Sequence, residues 1–178
     1  MVNSIVIKVA TIHDLDGIIK LQTANQTFRG GTLSGELTAY QIKEMMTDMP
    51  QIIAKFDNEI VGFLLTTSKS VHNKREFPIV DAMLASYLGS PNSYIYGPIC
   101  VSQNQRGNGL AQLMFQELLK LEPNREGILF IKSDNLTSLR AHEKMRMKKV
   151  SSFYFNNADF DVYAYFFPIK KDNNLIMK

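Results

Sequence analysis

Tyr94-Ile95-Tyr96-Gly97-Pro98-Ile99-Cys100-Val101-Ser102-Gln103-Asn104-Gln105-Arg106-Gly107-Asn108-Gly109-Leu110-Ala111 is the stretch from which the rest of the sequence is ordered. Residues 94–101 are apolar enough for a strand, with Gly97-Pro98 inside it. Proline has no N–H for a ladder, so within a sheet the pair marks an edge or a bulge. Residues 103–109 are a polar loop, after which Leu110, Leu113, Met114, Leu118 and Leu121 form an apolar stripe at helical spacing. A strand, a Gly-x-Gly loop and a helix in that order have a definite physical use. The first-turn amides of a helix lack intrahelical acceptors and carry the positive end of its dipole. Small residues before them let an anionic diphosphate approach several N–H donors at once, and Arg106 adds a cation at the same mouth. The same string also reads as a flexible turn feeding a core helix. Two familiar phosphate loops do not fit. A P-loop requires Gly-x4-Gly-Lys-Ser/Thr, which is absent, and a dinucleotide fingerprint requires a third glycine where Gln112 stands.

Upstream, Ile5, Ile7 and Val9 alternate as in a half-buried strand. Thr11 with Asp14 resembles a capping box for a helix carrying Leu15, Ile18, Ile19 and Gln22, a helix that Gly17 weakens. Residues 25–36, rich in Gly, Ser and Thr, read as an ordered loop or broken helix. Thr38 with Gln41 caps a second helix, whose apolar face is Ile42, Met45 and Met46. Residues 51–56 and 60–67 form a hairpin across Asp57-Asn58-Glu59. In the long connection 68–93, Ile79, Val80, Met83, Leu84, Tyr87 and Leu88 keep helical period between Pro78 and Gly89, which predicts an inserted helix.

Downstream, 127–132 (GILFIK) is a short apolar strand of the central kind, and 135–146 is a helix. Residues 150–155 and 161–167 are two aromatic-rich strands. The spacing predicts a single domain over 1–168 and a frayed tail at 169–178. Strands interspersed with helices indicate α/β or α+β layers around a mixed sheet.

Composition agrees with one globular domain: 178 residues, 45% hydrophobic and 21% charged, long enough to bury a core. The formal net charge of +3 is too small to argue for nucleic acid or a membrane surface. No apolar run approaches the roughly 18 residues of a spanning helix, and MVNSIVIKVA lacks the pattern of a signal peptide. The expectation is therefore a cytoplasmic protein. Cys100 stands alone, and the histidines at 13, 72 and 142 have no ligand spacing, so no metal site is expected.

Two strings together resemble the acetyl-CoA site of the GNAT acetyltransferase superfamily. Ile99-Cys100-Val101 followed by Arg106-Gly107-Asn108-Gly109-Leu110-Ala111 fits that family's Arg/Gln-x-x-Gly-x-Gly/Ala pattern. Downstream come Asn135-x-x-Ser138 and His142-Glu143-Lys144-Met145-Arg146-Met147. The order strand, two helices, hairpin, strand, loop, helix, strand, helix, two strands resembles the family along nearly the whole chain. The resemblance implies a mixed, mostly antiparallel central sheet flanked by helices and splayed at the acetyl-CoA-binding strand. It implies acetyl-CoA as cosubstrate, with the diphosphate on the amides of residues 106–111. Pantetheine then pairs like a strand with Ile99, Cys100 and Val101, and Asn135, Ser138 and His142 lie on the cofactor side. In the family a tyrosine near the thioester sulfur follows the asparagine by seven residues, a place held here by His142. Imidazole can donate a proton, so His142 is a candidate acid or sulfur partner, against the reading of a helix residue that only packs on the cofactor. Asn135 also reads as an ordinary N-cap.

The remaining candidates are read from residue chemistry. Cys100, within an apolar strand, is a small hydrophobe rather than an acetyl carrier. Ser138 has no acid–base relay beyond His142 one turn on and is not a nucleophile. An amine acceptor must lose a proton, for which Glu36 and Asp81 are candidates, while Glu59 belongs to its turn. Phe28, Arg29, Tyr94 and Tyr96 are candidate cleft residues. Arg140, Lys144, Arg146, Lys148 and Lys149 read as a solvated basic helix end with some attraction for CoA. The leading expectation is an N-acetyltransferase acting on a small-molecule or peptide amine, with no nucleic-acid or membrane partner, and with a homodimer in keeping with the family. A non-catalytic CoA-binding sensor is the alternative, and a nucleotide module without acyl chemistry the third.

Overall fold

Turns decide where the apolar runs of this chain become paired strands. The computed structural model describes residues 4–33, 35–74 and 76–168; the tail expected at 169–178 lies outside the described residues. Along the chain the elements are β1 (Ile5–Val9), α1 (Leu15–Ala24), α2 (Ala39–Asp48), β2 (Ile52–Phe56), β3 (Glu59–Ser68), α3 (Lys69–His72) and α4 (Pro78–Ser86). They continue with β4 (Tyr94–Val101), α5 (Leu110–Leu121), β5 (Gly127–Lys132), α6 (Leu136–Lys144), β6 (Lys148–Phe155) and β7 (Ala158–Tyr165). The hydrogen-bonded order is β1-β2-β3-β4-β5-β7-β6. Pairs β1–β2, β2–β3, β5–β7 and β6–β7 are antiparallel, and β4–β5 is parallel, giving the mixed, mostly antiparallel sheet expected. Two compact units are distinguished, one of residues up to Thr67 with Tyr96–Leu121, the other of Ser68–Ile95 with residues from Glu122 onward.

In the first unit, β2 and β3 meet at Asp57-Asn58, both at positive φ (49° and 65°). This two-residue turn has the twist that hairpin strands require. Glu59 already pairs with Phe56, so the turn is one residue shorter than the sequence suggests. Ile52, Ile53, Phe63, Leu64 and Leu65 are fully buried together with Ile18 of α1, Ile42 of α2 and Met114 of α5. Gly17 is tolerated in α1 because the hairpin approaches closely there: an added Cβ would lie 2.8 Å from Ile60 Cδ1. On α5 the buried face is Leu110, Met114, Phe115, Leu118 and Leu119. Leu113 lies off that arc and Leu121 at the helix end, and both are exposed, so the buried stripe is rotated from the one the sequence spacing predicts.

In the second unit, Tyr94 and Ile95 of β4 pair with Gly127 and Ile128 of β5, and the parallel ladder comprises these two rungs. β7 lies between β5 and β6, closed onto β6 by Asn156-Asn157 at positive φ (45° and 61°). Because this turn is so tight, β7 begins at Ala158, three residues before the predicted start. Met83 of the inserted helix is buried with Ile95, Ile128 and Val162, with Val80, Leu84 and Tyr87 beside them. The short turn α3, capped by the Ser68 side chain on Val71 N–H, is not visible in the sequence pattern. Gly127 has no alternative, since a Cβ there would lie 2.3 Å from the Tyr165 ring.

One buried carboxylate organises the start of the first unit. Asp14 accepts from the Thr11 N–H (2.9 Å) and hydroxyl (3.1 Å), and pairs with Lys8 (2.9 Å) and Lys55 (3.2 Å). Burial alone would raise its pKa, but the Thr11 amide and the two lysines outweigh burial and hold it well below the usual carboxylate range. A depressed carboxylate stabilises the fold above its unfolded pKa and loses that contribution as pH falls through the folded value. Asp14→Asn should therefore destabilise the protein by about 1–3 kcal/mol at pH 7. Chemical denaturation at several pH values checks this: the difference should hold down to about pH 4 and shrink in stronger acid.

Candidate functional site

The end of β4 and the start of α5 form the glycine loop. Ser102 N–H donates to Val61 carbonyl at 2.8 Å, and residues 103–105 make a single 3-10 turn. Arg106 is extended (φ −65°, ψ 147°), and Gly107 and Gly109 take φ of +82° and +74°. A side chain at either glycine would be strained in this backbone. A Cβ added at either would meet nothing within 4 Å, so the loop opens onto space. The Leu113 N–H donates to the Gly109 carbonyl at 3.0 Å, which opens the helical ladder. The amides of Leu110, Ala111 and Gln112 therefore precede any intrahelical acceptor. An exposed, glycine-lined mouth at the N-terminus of a twelve-residue helix fits the diphosphate of a CoA molecule.

Arg106 is held at two points. Its Nε donates to the Val101 carbonyl at 3.2 Å and its Nη2 to Asn25 Oδ1 at 3.0 Å. Asn108 Nδ2 donates to Gln105 Oε1 at 3.2 Å. In the strand before the loop Ile99 and Val101 are half-buried and Cys100 is buried. Burial pushes the Cys100 thiol up to about 11, partly opposed by Arg106, so it stays protonated and poorly nucleophilic at neutral pH. Residues 97 and 98 are joined by a cis peptide inside β4, which stands between β3 and β5 in the strand order and not at the edge that the proline suggested as one alternative.

Asn135, Ser138 and His142 lie together on α6, in the second unit. Asn135 is the N-cap, its Oδ1 accepting from Ser138 N–H at 3.2 Å. His142 Nδ1 lies 2.7 Å from the Ser138 carbonyl and 3.3 Å from its hydroxyl. A carbonyl oxygen only accepts, so Nδ1 carries the proton and Nε2 is the acceptor nitrogen of the neutral ring. Burial lowers the His142 pKa, the Ser138 bond opposing it in part. An imidazolium is thus disfavoured here, which weighs against the acid role for which His142 is a candidate and toward the reading of a residue that packs. Nor can Nδ1, already protonated, activate Ser138.

The residues considered for the acceptor have separate local surroundings. Glu36 accepts from Thr23 Oγ1 at 3.5 Å on the surface, and Glu59 is exposed beside its turn. Asp81 is bonded through Oδ1 to Nε2 of the buried His72 at 2.7 Å, a pairing the sequence does not announce. Tyr94 and Tyr96 are core residues rather than cleft residues. The Tyr94 hydroxyl bonds that of Tyr165, and the Tyr96 ring meets Phe115 edge-on at 5.8 Å. Phe28 is exposed, with the Arg29 guanidinium over its ring. In the basic cluster Lys149 is paired with Asp161 at 2.9 Å, and Arg140, Lys144, Arg146 and Lys148 are exposed. Sequence reading also missed a cleft of about 550 Å³ in the first unit, lined by His13, Lys20, Lys55, Glu59, Ser102 and Gln105. It missed the Glu126 carboxylate as well, which accepts from Tyr87 hydroxyl and Ser90 N–H, both at 2.6 Å, and closes the segment entering β4. These pairs span more than thirty residues, so no local signal marks them. Among the described residues no cluster of His, Cys, Asp and Glu could hold a metal, and no helix is long and apolar enough to cross a membrane.

The model of the acetyltransferase (GNAT) family matches residues 19–146. No curated protein matches the chain. Among solved structures, an N-acetyltransferase from Staphylococcus aureus Mu50 is similar at TM-score 0.64 and 18% identity, over 92% of this chain and 98% of that one. The ribosomal-protein-S18-alanine N-acetyltransferase from Escherichia coli gives 0.66 at 9% identity, over 96% and 99%. The Salmonella typhimurium protein yncA, solved with its cofactor acetyl-CoA, gives 0.64 at 12% identity, over 92% and 94%. At such identities the likeness is one of fold.

The buried neutral imidazole has a thermodynamic signature. A histidine whose folded pKa lies below its unfolded value of about 6.5 binds more protons when unfolded, so its presence lowers stability as pH falls below that value. His142→Asn keeps an N–H near the Ser138 carbonyl and cannot titrate. Unfolding free energies at pH 5 to 8 should fall less steeply toward acid for the variant than for the wild type.

Proposed function

The chain belongs to the acetyltransferase (GNAT) family, and from that premise we propose that it is an N-acetyltransferase moving acetyl from acetyl-CoA to a primary amine, by direct attack within a ternary complex. The observation that carries this reading is the open glycine loop at the head of α5, where Gly107 and Gly109 leave the helix amides approachable. When bound, acetyl-CoA supplies the acyl group as an activated thioester. The N–H groups of Leu110, Ala111 and Gln112 hold the diphosphate, and Arg106 adds positive charge at the rim. The backbone of Ile99, Cys100 and Val101 pairs with pantetheine. A protonated Cys100 thiol supports direct transfer over an acetylated cysteine. On α6, Asn135 and Ser138 set the helix start on the cofactor side, and His142 acts as a fixed, neutral wall in the family's tyrosine place. The acceptor is a small-molecule or peptide amine, and segments 25–36 and 68–93 shape its choice. A cytoplasmic enzyme without nucleic-acid or membrane partners, in keeping with a homodimer, completes the reading.

A second reading, a CoA-binding domain that senses rather than turns over, is favoured by one observation. The Nδ1 proton of His142 is engaged by the Ser138 carbonyl and burial disfavours a second proton on the ring, which makes His142 a poor proton donor. Release of CoA thiol with a panel of amines separates the two: turnover supports the enzyme, and binding without turnover the sensor. Calorimetric titration with acetyl-CoA tests the site they share. The wild type should bind, and replacing Gly107 and Gly109 together by valine should weaken binding about 100-fold, two charge-assisted hydrogen bonds being lost. A wild type that does not bind overturns both readings.

A further inference from the structure

Three buried amide side chains cluster at the end of α1: Gln22, Asn25 and Gln26. Each holds part of the segment that follows. Gln22 makes a two-way pair with the Leu37 backbone, with 2.9 Å in both directions. Gln26 Nε2 donates to the Gln22 carbonyl at 3.3 Å and to the Gly35 carbonyl at 3.2 Å. The Asn25 carbonyl accepts from Leu33 N–H at 3.1 Å, and Gly31 crosses the Asn25 peptide so tightly that a Cβ would lie 1.9 Å from its oxygen. The described residues of segment 25–37 are therefore held by these amides as well as by the buried Leu33 and Leu37.

Asn25 does one thing the other two do not. Its Nδ2 donates to the Leu21 carbonyl at 2.9 Å, which fixes the orientation of the amide and turns Oδ1 toward Arg106 Nη2 at 3.0 Å. With Nε on the Val101 carbonyl, the guanidinium is pinned between the end of β4 and the end of α1, immediately before the two glycines. A hydrogen bond from a guanidinium to a buried, oriented acceptor belongs to the stronger class. An arginine in water explores many rotamers, whereas one pinned at Nε and Nη2 fixes the backbone that follows it.

We propose that Asn25 is a positioning residue for the cofactor loop: by holding Arg106 it makes the affinity of the glycine loop for CoA depend on the ordered state of segment 25–37. This rests on the proposed function, which assigns the loop to CoA and segment 25–36 to the choice of acceptor. Through this one bond the two substrates' segments communicate within the first unit, so a change in either segment is felt by the other.

A double-mutant cycle on CoA affinity tests the inference, with CoA itself as the calorimetric probe and thermal melts run in parallel. Asn25→Ala should raise Kd about tenfold, and Arg106→Ala at least as much. In the Arg106→Ala background, adding Asn25→Ala should change Kd by less than about twofold, because the residue acts only through Arg106. Additive losses, or an Asn25→Ala protein that melts earlier yet binds CoA normally, overturn the proposal. Should Asn25→Ala fail to fold, Arg106→Lys keeps the charge at an exposed site and loses the two-point grip. Weakened binding is expected, and wild-type affinity with lysine overturns the proposal. A wild type that does not bind CoA overturns the proposed function and this inference with it, a result distinct from binding with an additive cycle.

Discussion

Two parallel strands cannot be joined by a tight turn, and this constraint shapes the centre of the protein. β4 and β5 are parallel, so the chain leaving β4 must cross back before β5 can begin, and α5 is that crossover. A helix therefore starts just beyond the C-terminal end of β4, with its unsatisfied first-turn amides at that end of the strand. The short polar link between them has to reverse direction at Gly107 and Gly109, both at positive φ. The open mouth at the head of α5, where we propose that the diphosphate binds, follows from the topology, and the glycines make the topology possible. Within the second unit, Tyr94 and Ile95 supply the two rungs of the ladder with β5.

Several buried polar side chains among the described residues bond main-chain groups. Gln51 is fully buried, yet its amide donates to the carbonyls of Met45, Met49 and Thr66 and accepts from Thr66 N–H. Gln22 and Gln26 follow the same principle on α1 and its flank, while Asp14 and Asn25 combine main-chain bonds with cationic side chains. Leaving any such group unsatisfied costs about 1–3 kcal/mol, so each partner specifies a loop path that apolar contacts would leave ambiguous. His142 belongs to this pattern too. Its Nδ1 proton is given to a main-chain carbonyl, which fixes ring and tautomer at the expense of proton donation.

The family membership and the geometry bear on different parts of the function. Membership carries the class of chemistry, and the open glycine loop carries the proposed place of a CoA diphosphate. The bond from Asn25 to Arg106 adds a relation between two segments that neither motif contains. Its partners are 81 residues apart, and each looks ordinary in the sequence: an asparagine after a helix and an arginine opening a glycine motif.

Local physics makes much of this fold legible in the amino-acid sequence. Residues 110–121 and 127–132 are the elements their patterns predict, because apolar periodicity and the flanking Gly and Pro are local signals. Thr38-x-x-Gln41 closes its capping box as written, and Asp57-Asn58 makes its turn, since both depend on groups within four residues. The glycine loop is legible for the same reason, its chemistry residing in consecutive backbone amides. What the sequence leaves undetermined depends on partners distant along the chain. Only the tertiary structure puts β7 between β5 and β6, buries Tyr94 against Tyr165 and Tyr96 against Phe115, joins His72 to Asp81, and pins Arg106 to Asn25. A side chain's own type states how many hydrogen bonds it needs, whereas the partner that supplies each one is chosen by packing, and packing is decided by the whole chain at once.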